Sequence, residues 1–293
     1  MNFKQANFKQ ALVLTALLST ALGAQADELK LSLFNPQANS VMPVSSVIVE
    51  GDNEVLLVDA QFQRNDAEIL VEQIKATGKP LKTIFISHSD PDYYFGLDVI
   101  THAFPDAKVL ATPETAKRIR GNIIGKADFW SPILADNAPR ALVLPQPTDA
   151  TALSIGTSQI EIKNLDHDPA HTYLWIDELK TILGGVSVYD NLHVWVADDQ
   201  TEAERKTWLN TLNEMQQLAP KSVIAGHSLG TNYSPASLDF TKTYLQQFEA
   251  ENKTAKNSAE LIEAMKKHYP NLGEESSLEL GAKVVKGEEK WPQ

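Results

Sequence analysis

The sequence predicts an α/β fold, and three observations carry that reading. A strand-like run at 54–60, a segment of helical period at 64–77 and another strand-like run at 81–86 follow one another, the order of a helix-faced sheet. A second group of short strand-like runs lies between 140 and 185. A helix-like segment at 201–217 then leads into a last short strand at 222–225.

Residues 29–36 alternate as a half-buried strand does. Val44–Glu50 and Glu54–Ala60 are two further strands, and Gly51-Asp52-Asn53 between them is a hairpin turn. Over 64–77 the apolar positions Ala67, Ile69, Leu70, Ile74 and Ala76 take a helical period, which Gly78-Lys79-Pro80 terminates. Leu81–Ile86 returns to a strand. Residues 121–135 hold Gly121 and Gly125, then Phe129, Trp130, Ile133 and Leu134. Two readings stay open for them: a core helix, or a hydrophobic lid whose early glycines permit movement.

Arg140–Leu144, Ala152–Ile155, Ser158–Leu165, Thr172–Ile176 and Thr181–Gly185 read as an antiparallel series, turning at Gly156-Thr157 and Asp177-Glu178. The helix over 201–217 begins with acids and carries Leu209, Leu212 and Met215 on its apolar stripe. From Ser234 to about His268 the chain is helical and highly charged. That stretch covers a sheet face or mediates a homodimer, and the sequence leaves both open. No long linker divides the halves, so 27–293 reads as a single domain, with 234–293 a charged helical extension.

Residues 1–26 are a separate object. Lys4 and Lys9 precede the largely apolar run Ala11–Leu18, and Ala24-Gln25-Ala26 has the small-x-small form of a signal peptidase site. The run falls short of the about 20 apolar residues of a membrane span. The expectation is a signal peptide cleaved near Ala26, a periplasmic or secreted product, and no membrane anchor. The formal charge is −12, and without residues 1–26 it becomes −14, from 24 basic and 38 acidic residues. Such a surface repels nucleic acid and anionic membranes but does not identify a substrate; the expected partner is a small-molecule substrate or ligand. Cysteine is absent, so no thiolate can serve as nucleophile or ligand.

The most informative stretch is Thr83–Gly96, a hydrophobic strand running into His88, Asp90 and Asp92, then Tyr93, Tyr94 and Gly96. Side chains on a loop after a buried strand are well placed to act together, because the strand is rigid and the loop can turn them to one point. His88 and Asp90 can offer an imidazole nitrogen and a carboxylate oxygen to one cation. Pro91 biases Asp90 toward an extended backbone. His171, after the strand at 158–165, and His227, after 222–225, are two further strand-end histidines that an α/β sandwich can bring to the same place.

With these pieces in order, the sequence resembles the metallo-beta-lactamase superfamily from about residue 30 to 230. That family carries His-x-His-x-Asp-His after a buried strand, an early aspartate, a later histidine motif and a terminal Gly-His. Asp59 matches the early aspartate, Ser87–Gly96 the first motif, Ala170-His171-Thr172 the second and Ala225-Gly226-His227-Ser228 the last. The resemblance implies a four-layer αββα sandwich. It also exposes departures: Asp90 stands at the second histidine, Tyr93 at the fourth ligand position, and Val186 where a metal-bridging aspartate belongs. A valine coordinates nothing.

Carried over residue by residue, the resemblance implies at most one tightly bound divalent metal, zinc foremost, held by His88, Asp90 and His171. Asp92 then orients or deprotonates a water, His227 acts as general acid or binds a substrate oxygen, and Tyr93 donates to a developing oxyanion. Phe129, Trp130, His193 and Trp195 form the expected substrate wall, with helix packing as the other reading of His193 and Trp195. Two functions follow from this degenerate active site. One is an exported single-metal hydrolase of a small ester, lactone or amide. The other is a non-catalytic exported binding protein on a decayed metallo-hydrolase scaffold.

Overall fold

The structure is a computed structural model describing residues 29–230 and 233–291. The expected signal peptide at 1–26 lies outside the described residues. Strands β1 (Lys30–Phe34), β2 (Ser46–Glu50) and β3 (Val55–Val58) form an antiparallel meander, turning after Gly51, whose N–H donates to Glu54 O at 3.0 Å. Helix α1 (Arg64–Ala76) crosses to β4 (Leu81–Ile86), which lies parallel to β3. Gly78, at φ 70°, turns the chain out of α1 in a conformation that only glycine adopts without strain.

Two short helices, α2 (Pro91–Tyr94) and α3 (Leu97–Ala103), lead to the parallel strand β5 (Lys108–Ala111). The 22-residue helix α4 (Pro113–Leu134) then returns to β6 (Gln146–Pro147), completing a six-stranded sheet in chain order. Thr112 caps α4 by accepting from the Thr115 N–H, and Pro113 sits at its first turn, where no backbone donor is needed.

The second sheet begins with β7 (Ala152–Ile155), β8 (Ser158–Lys163), β9 (Tyr173–Ile176) and β10 (Thr181–Leu183), all antiparallel. After β11 (Tyr189–Asp190) comes α5 (Glu202–Gln217), opened by a capping box between Thr201 and Glu204. Strand β12 (Ser222–Val223) adds in parallel beside β10, and β13 (His227–Ser228) pairs with β11. Helices α6 (Ala236–Thr254), α7 (Ser258–His268) and α8 (Glu275–Val285) follow. No helix among the described residues is long and apolar enough to cross a membrane.

The layers follow from residue alternation. Val47, Val49, Leu56, Val58 and Phe85 of the first sheet meet Leu153, Ile155, Ile160, Leu174 and Ile176 of the second in one apolar cluster. The alternate residues Ile48, Leu57, Ile84 and Ile86, and on the other sheet Tyr173 and Trp175, face outward into the helix layers. Both faces of each sheet are therefore covered, giving the αββα sandwich, with each fully buried aliphatic side chain contributing about 1.5–3 kcal/mol.

One local expectation is corrected, and the form of one open segment is fixed. Arg140–Leu144 is not a strand: Leu142 and Leu144 are exposed, and Gln146–Pro147 takes the place beside β5. Residues 121–134, open in the sequence between a core helix and a lid, are helical as part of α4, which buried Ile119 and Ile123 anchor. The first of the charged C-terminal helices, α6, packs on the short β11–β13 pair, where Thr241 accepts from the Tyr189 N–H at 2.9 Å.

Candidate active site

Asp59 directly follows β3, held at φ 63° with its carboxylate fully buried. The Ser87 N–H and Oγ–H donate to its two oxygens at 2.8 and 2.7 Å, and the Gly185 N–H donates to Ser87 Oγ at 2.7 Å. One carboxylate thus joins the ends of β3, β4 and β10, which fixes the loop that follows Ser87. Burial outweighs these hydrogen bonds and pushes Asp59 up to about 7. Gly96 and Gly226 allow the surrounding loops to close. A Cβ at Gly96 would lie 2.1 Å from Ala60 O, and one at Gly226 2.2 Å from Gly185 O.

On that frame the loop presents His88, Asp90, Asp92 and Tyr93. Asp90 has the extended backbone that Pro91 favours and opens α2. Its Oδ2 lies 3.2 Å from His88 Nε2, and its Oδ1 accepts from Lys126 Nζ at 3.3 Å. Burial works against ionisation of Asp90, but His88 and Lys126 hold its carboxyl well below the usual carboxylate range. Burial also works against the charge on Lys126, and Asp90 and Asp198 nevertheless keep its ammonium above the ordinary lysine value. Lys126 further lies 5.4 Å from the centre of the Trp291 ring, a cation–π contact.

His171 stands across from His88, the two rings stacked with centroids 5.7 Å apart. Its Nδ1 is 2.7 Å from Asp168 Oδ2, so an Nδ1–H donated there leaves Nε2 with a free lone pair. Burial disfavours the imidazolium, yet the Asp168 hydrogen bond and the Asp199 charge raise His171 above the ordinary value. His88, Asp90, Arg118, Lys126, Asp168 and His171 line one cavity of about 290 Å³.

Asp92, His227 and Tyr93 form a second, deeper group. His227 Nε2 is 3.2 Å from the Tyr93 hydroxyl and 3.3 Å from Asp92 Oδ2, and its ring stacks on Tyr189 with centroids 5.0 Å apart. Burial pushes His227 down to about 4 and Asp92 well above the usual carboxylate range, the latter aided by Asp90. At about 4 the His227 imidazole is neutral at neutral pH, while burial and the Asp90 charge both work against the ionised form of Asp92. Asp92 Oδ2 is buried without a hydrogen-bond partner among the described residues. This group borders a cavity of about 20 Å³ closed by Trp130, Trp195 and Trp291.

The expected metal ligands His88, Asp90 and His171 share a cavity wall, but they do not fit a resident divalent ion. Among the described residues no three His, Asp or Glu side chains are arranged to hold one. Both oxygens of Asp90 are engaged, one by a lysine that already supplies positive charge. Val186 is packed in the core, and Tyr93 is a phenol held neutral by burial. Asp92 and His227 are only two donors.

Of the expected substrate wall, Phe129 is half exposed beside Trp130, while Trp130 and Trp195 border the small cavity. His193 belongs elsewhere: it is buried with Nδ1 2.9 Å from the Tyr244 hydroxyl, because the chain after β11 packs under α6. Lys126, Asp168, Asp198 and Trp291 are the members that no sequence motif marked. Asp168 was within reach of one, three residues before His171. No local pattern points to Lys126, whose partner Asp90 is 36 residues away.

A family model described as the metallo-beta-lactamase superfamily matches residues 39–227. Among solved structures, a metallo-beta-lactamase family protein from Thermus thermophilus superposes with a TM-score of 0.63 at 17% identity, covering 88% of this chain and 92% of that one. A metallo-beta-lactamase from Pontibacter korlensis gives 0.52 at 19% identity, covering 75% and 99%. At these identities the superpositions establish the fold. The protein YobT of Bacillus subtilis (strain 168) is 31% identical over 83 residues, 28% of this chain and 35% of its own length.

Proposed function

This chain belongs to the metallo-beta-lactamase superfamily, and we propose that it is a hydrolase of a small ester, lactone or amide. The reacting carbonyl would bind between Lys126 and His171. The observation that supports this most is the pairing of two polar units across one cavity: His171 on Asp168 at 2.7 Å, and Lys126 on Asp90 at 3.3 Å.

Each unit has a role in acyl transfer. Water attacks the carbonyl carbon and gives its proton to His171 Nε2, while Asp168 holds the ring and stabilises the imidazolium. The carbonyl oxygen takes the electron pair and becomes an oxyanion, which Lys126 Nζ–H faces. Collapse of the tetrahedral species breaks the bond to the leaving oxygen or nitrogen, and that atom takes the proton back from His171. Asp90 is a positioning residue that keeps the lysine charged and aimed, and His88 steadies Asp90. Asp92, His227 and Tyr93 build the floor beneath them. The signal-peptide-like residues 1–26 motivate a periplasmic or secreted site of action.

The test is a panel of small aryl esters, lactones and amides, run on the wild type and on His171→Gln. Turnover by the wild type with an about 100-fold loss of kcat/KM in the variant supports the reading. Equal rates in the two proteins would remove it. A second reading, a binding protein on this scaffold, is favoured by Val186 and by the closure of Asp92 and His227 beneath Trp291. Saturable binding of panel compounds without turnover would establish it.

A further inference from the structure

Three cavities share Lys126 as a wall, and their sizes and polarity outline one ligand. We propose that the substrate is an acetyl ester or acetamide of a linear alkyl alcohol or amine, whose chain lies in an apolar groove between α4 and α8. Hydrolysis would release acetate and the alcohol or amine. The proposal rests on the hydrolase reading for the place of the carbonyl, and adds what lies on either side of it.

The first of the three is the polar cavity with His171, and the second is the cavity of about 20 Å³ under Trp130, Trp195 and Trp291. The third, of about 360 Å³, is lined by Gly121, Gly125, Phe129, Trp130, Leu280 and Trp291. Its volume and mainly apolar lining are those of a small-molecule pocket. A carbonyl oxygen facing Lys126 Nζ thus leaves its two substituents two directions. The small cavity holds about one water-sized sphere, room for a methyl group and no more. The groove takes the other substituent. Asn122, one helical turn before Lys126, also lines both the polar cavity and the groove, so the two open along the same face of α4.

The groove owes its room to two glycines. Gly121 and Gly125 stand one turn apart inside α4, with Phe129 on the next turn. A glycine inside a helix weakens it relative to alanine. A Cβ on either would meet nothing within 4 Å, so no neighbouring element requires them to be small. Their missing side chains leave the groove open instead. Phe129, 51% exposed, stands edge-on to Trp291 along it, with ring centroids 5.6 Å apart. The groove's other charged members, Glu289 and Lys290, offset each other, and Asp90 holds Lys126 at 3.3 Å. An uncharged chain therefore suits it better than a fatty acid or an alkylammonium ion.

The experiment is calorimetric titration of 2-pentanone, 2-octanone and 4-octanone into the wild type, Gly121→Leu and Gly125→Leu, with circular dichroism as the check on folding. The 2-alkanones are uncleavable analogues in which a methyl ketone replaces the acetyl ester. Each buried methylene tightens binding by about 4-fold, so wild type should bind 2-octanone at least about 10-fold more tightly than 2-pentanone. A leucine at 121 or 125 fills the groove and should remove that gain. 4-Octanone puts a propyl group on the small side and should bind the wild type about 10-fold more weakly than 2-octanone. Equal wild-type affinity for 2-pentanone and 2-octanone, or for 2-octanone and 4-octanone, would overturn the proposal. So would an undiminished chain-length gain in the folded leucine variants. A wild-type dimer dissolved by Gly125→Leu would give the groove to a second copy of the chain and overturn it too. If neither leucine variant folds, the two wild-type comparisons decide alone. Absence of ester turnover changes none of these outcomes, because the ketones are not cleaved, and a flat ketone series leaves hydrolysis of short esters standing.

Discussion

Trp291 donates its indole N–H to Asp198 Oδ1 at 2.9 Å, and the same carboxylate accepts from the Trp195 indole N–H on Oδ2. The Trp291 ring packs edge-on against Phe129 and Trp195, with centroids 5.6 and 5.4 Å away. Asp198 is partly buried, and desolvation together with the Asp90 charge pushes it up to about 6. A tryptophan far along the chain therefore roofs the deeper half of the site through a single carboxylate.

Trp291→Ala should open that roof. The expected change is an about 10-fold rise in kcat/KM for bulky acyl esters relative to acetyl esters, at a cost in stability of about 2 kcal/mol. Paired ester kinetics and urea denaturation measure both. An unchanged preference between bulky and small acyl groups would mean that the roof lies off the substrate's path.

Ser87→Ala removes the hydroxyl that connects Asp59 to Gly185. It leaves a buried carboxyl oxygen and a buried N–H without partners, each costing about 1–3 kcal/mol. A loss of about 2–5 kcal/mol in urea denaturation is expected, well above that of an exposed Ser→Ala change.

Gly226→Ala would place a methyl group 2.2 Å from Gly185 O and 2.7 Å from the Tyr93 hydroxyl. Backbone cannot yield that distance without moving His227. The variant should lose several kcal/mol of stability, about 3 or more, and thermal melting beside the wild type checks it.

His193 gives a pH dependence with a defined sign. Burial pushes it down to about 4 from 6.5, so it stays neutral in the fold while the unfolded chain takes up a proton. The unfolded state binds more protons between those values, and His193 therefore removes stability as pH falls from 6.5 to about 4. His193→Asn should flatten that part of the curve, measured as urea midpoint against pH. Equal slopes in the two proteins would contradict the burial argument.

The parts of this molecule that were legible in its sequence are those encoded locally. The order β3–α1–β4 was readable because alternation, helical period and Gly78-Lys79-Pro80 each act over a few residues. His88, His171 and His227 were readable as strand-end residues, and the structure brings them around the same strand ends. Arg140–Leu144 misled because its apolar run leaves Leu142 and Leu144 at the surface, and neighbouring Gln146 meets β5 instead. The partners that decide the site's charge were illegible for a different reason. Lys126 looks like an ordinary helix-surface lysine until α4 is docked, and Trp291 reaches Asp198 across 93 residues.

The proposed hydrolysis is carried by His171, Asp168 and Lys126 without a resident metal. It is tested most directly by measuring turnover of the best panel substrate before and after exhaustive chelation, with zinc added back. Turnover should be unchanged by chelation and not raised by zinc. Activity abolished by the chelator and restored by one equivalent of zinc would contradict it.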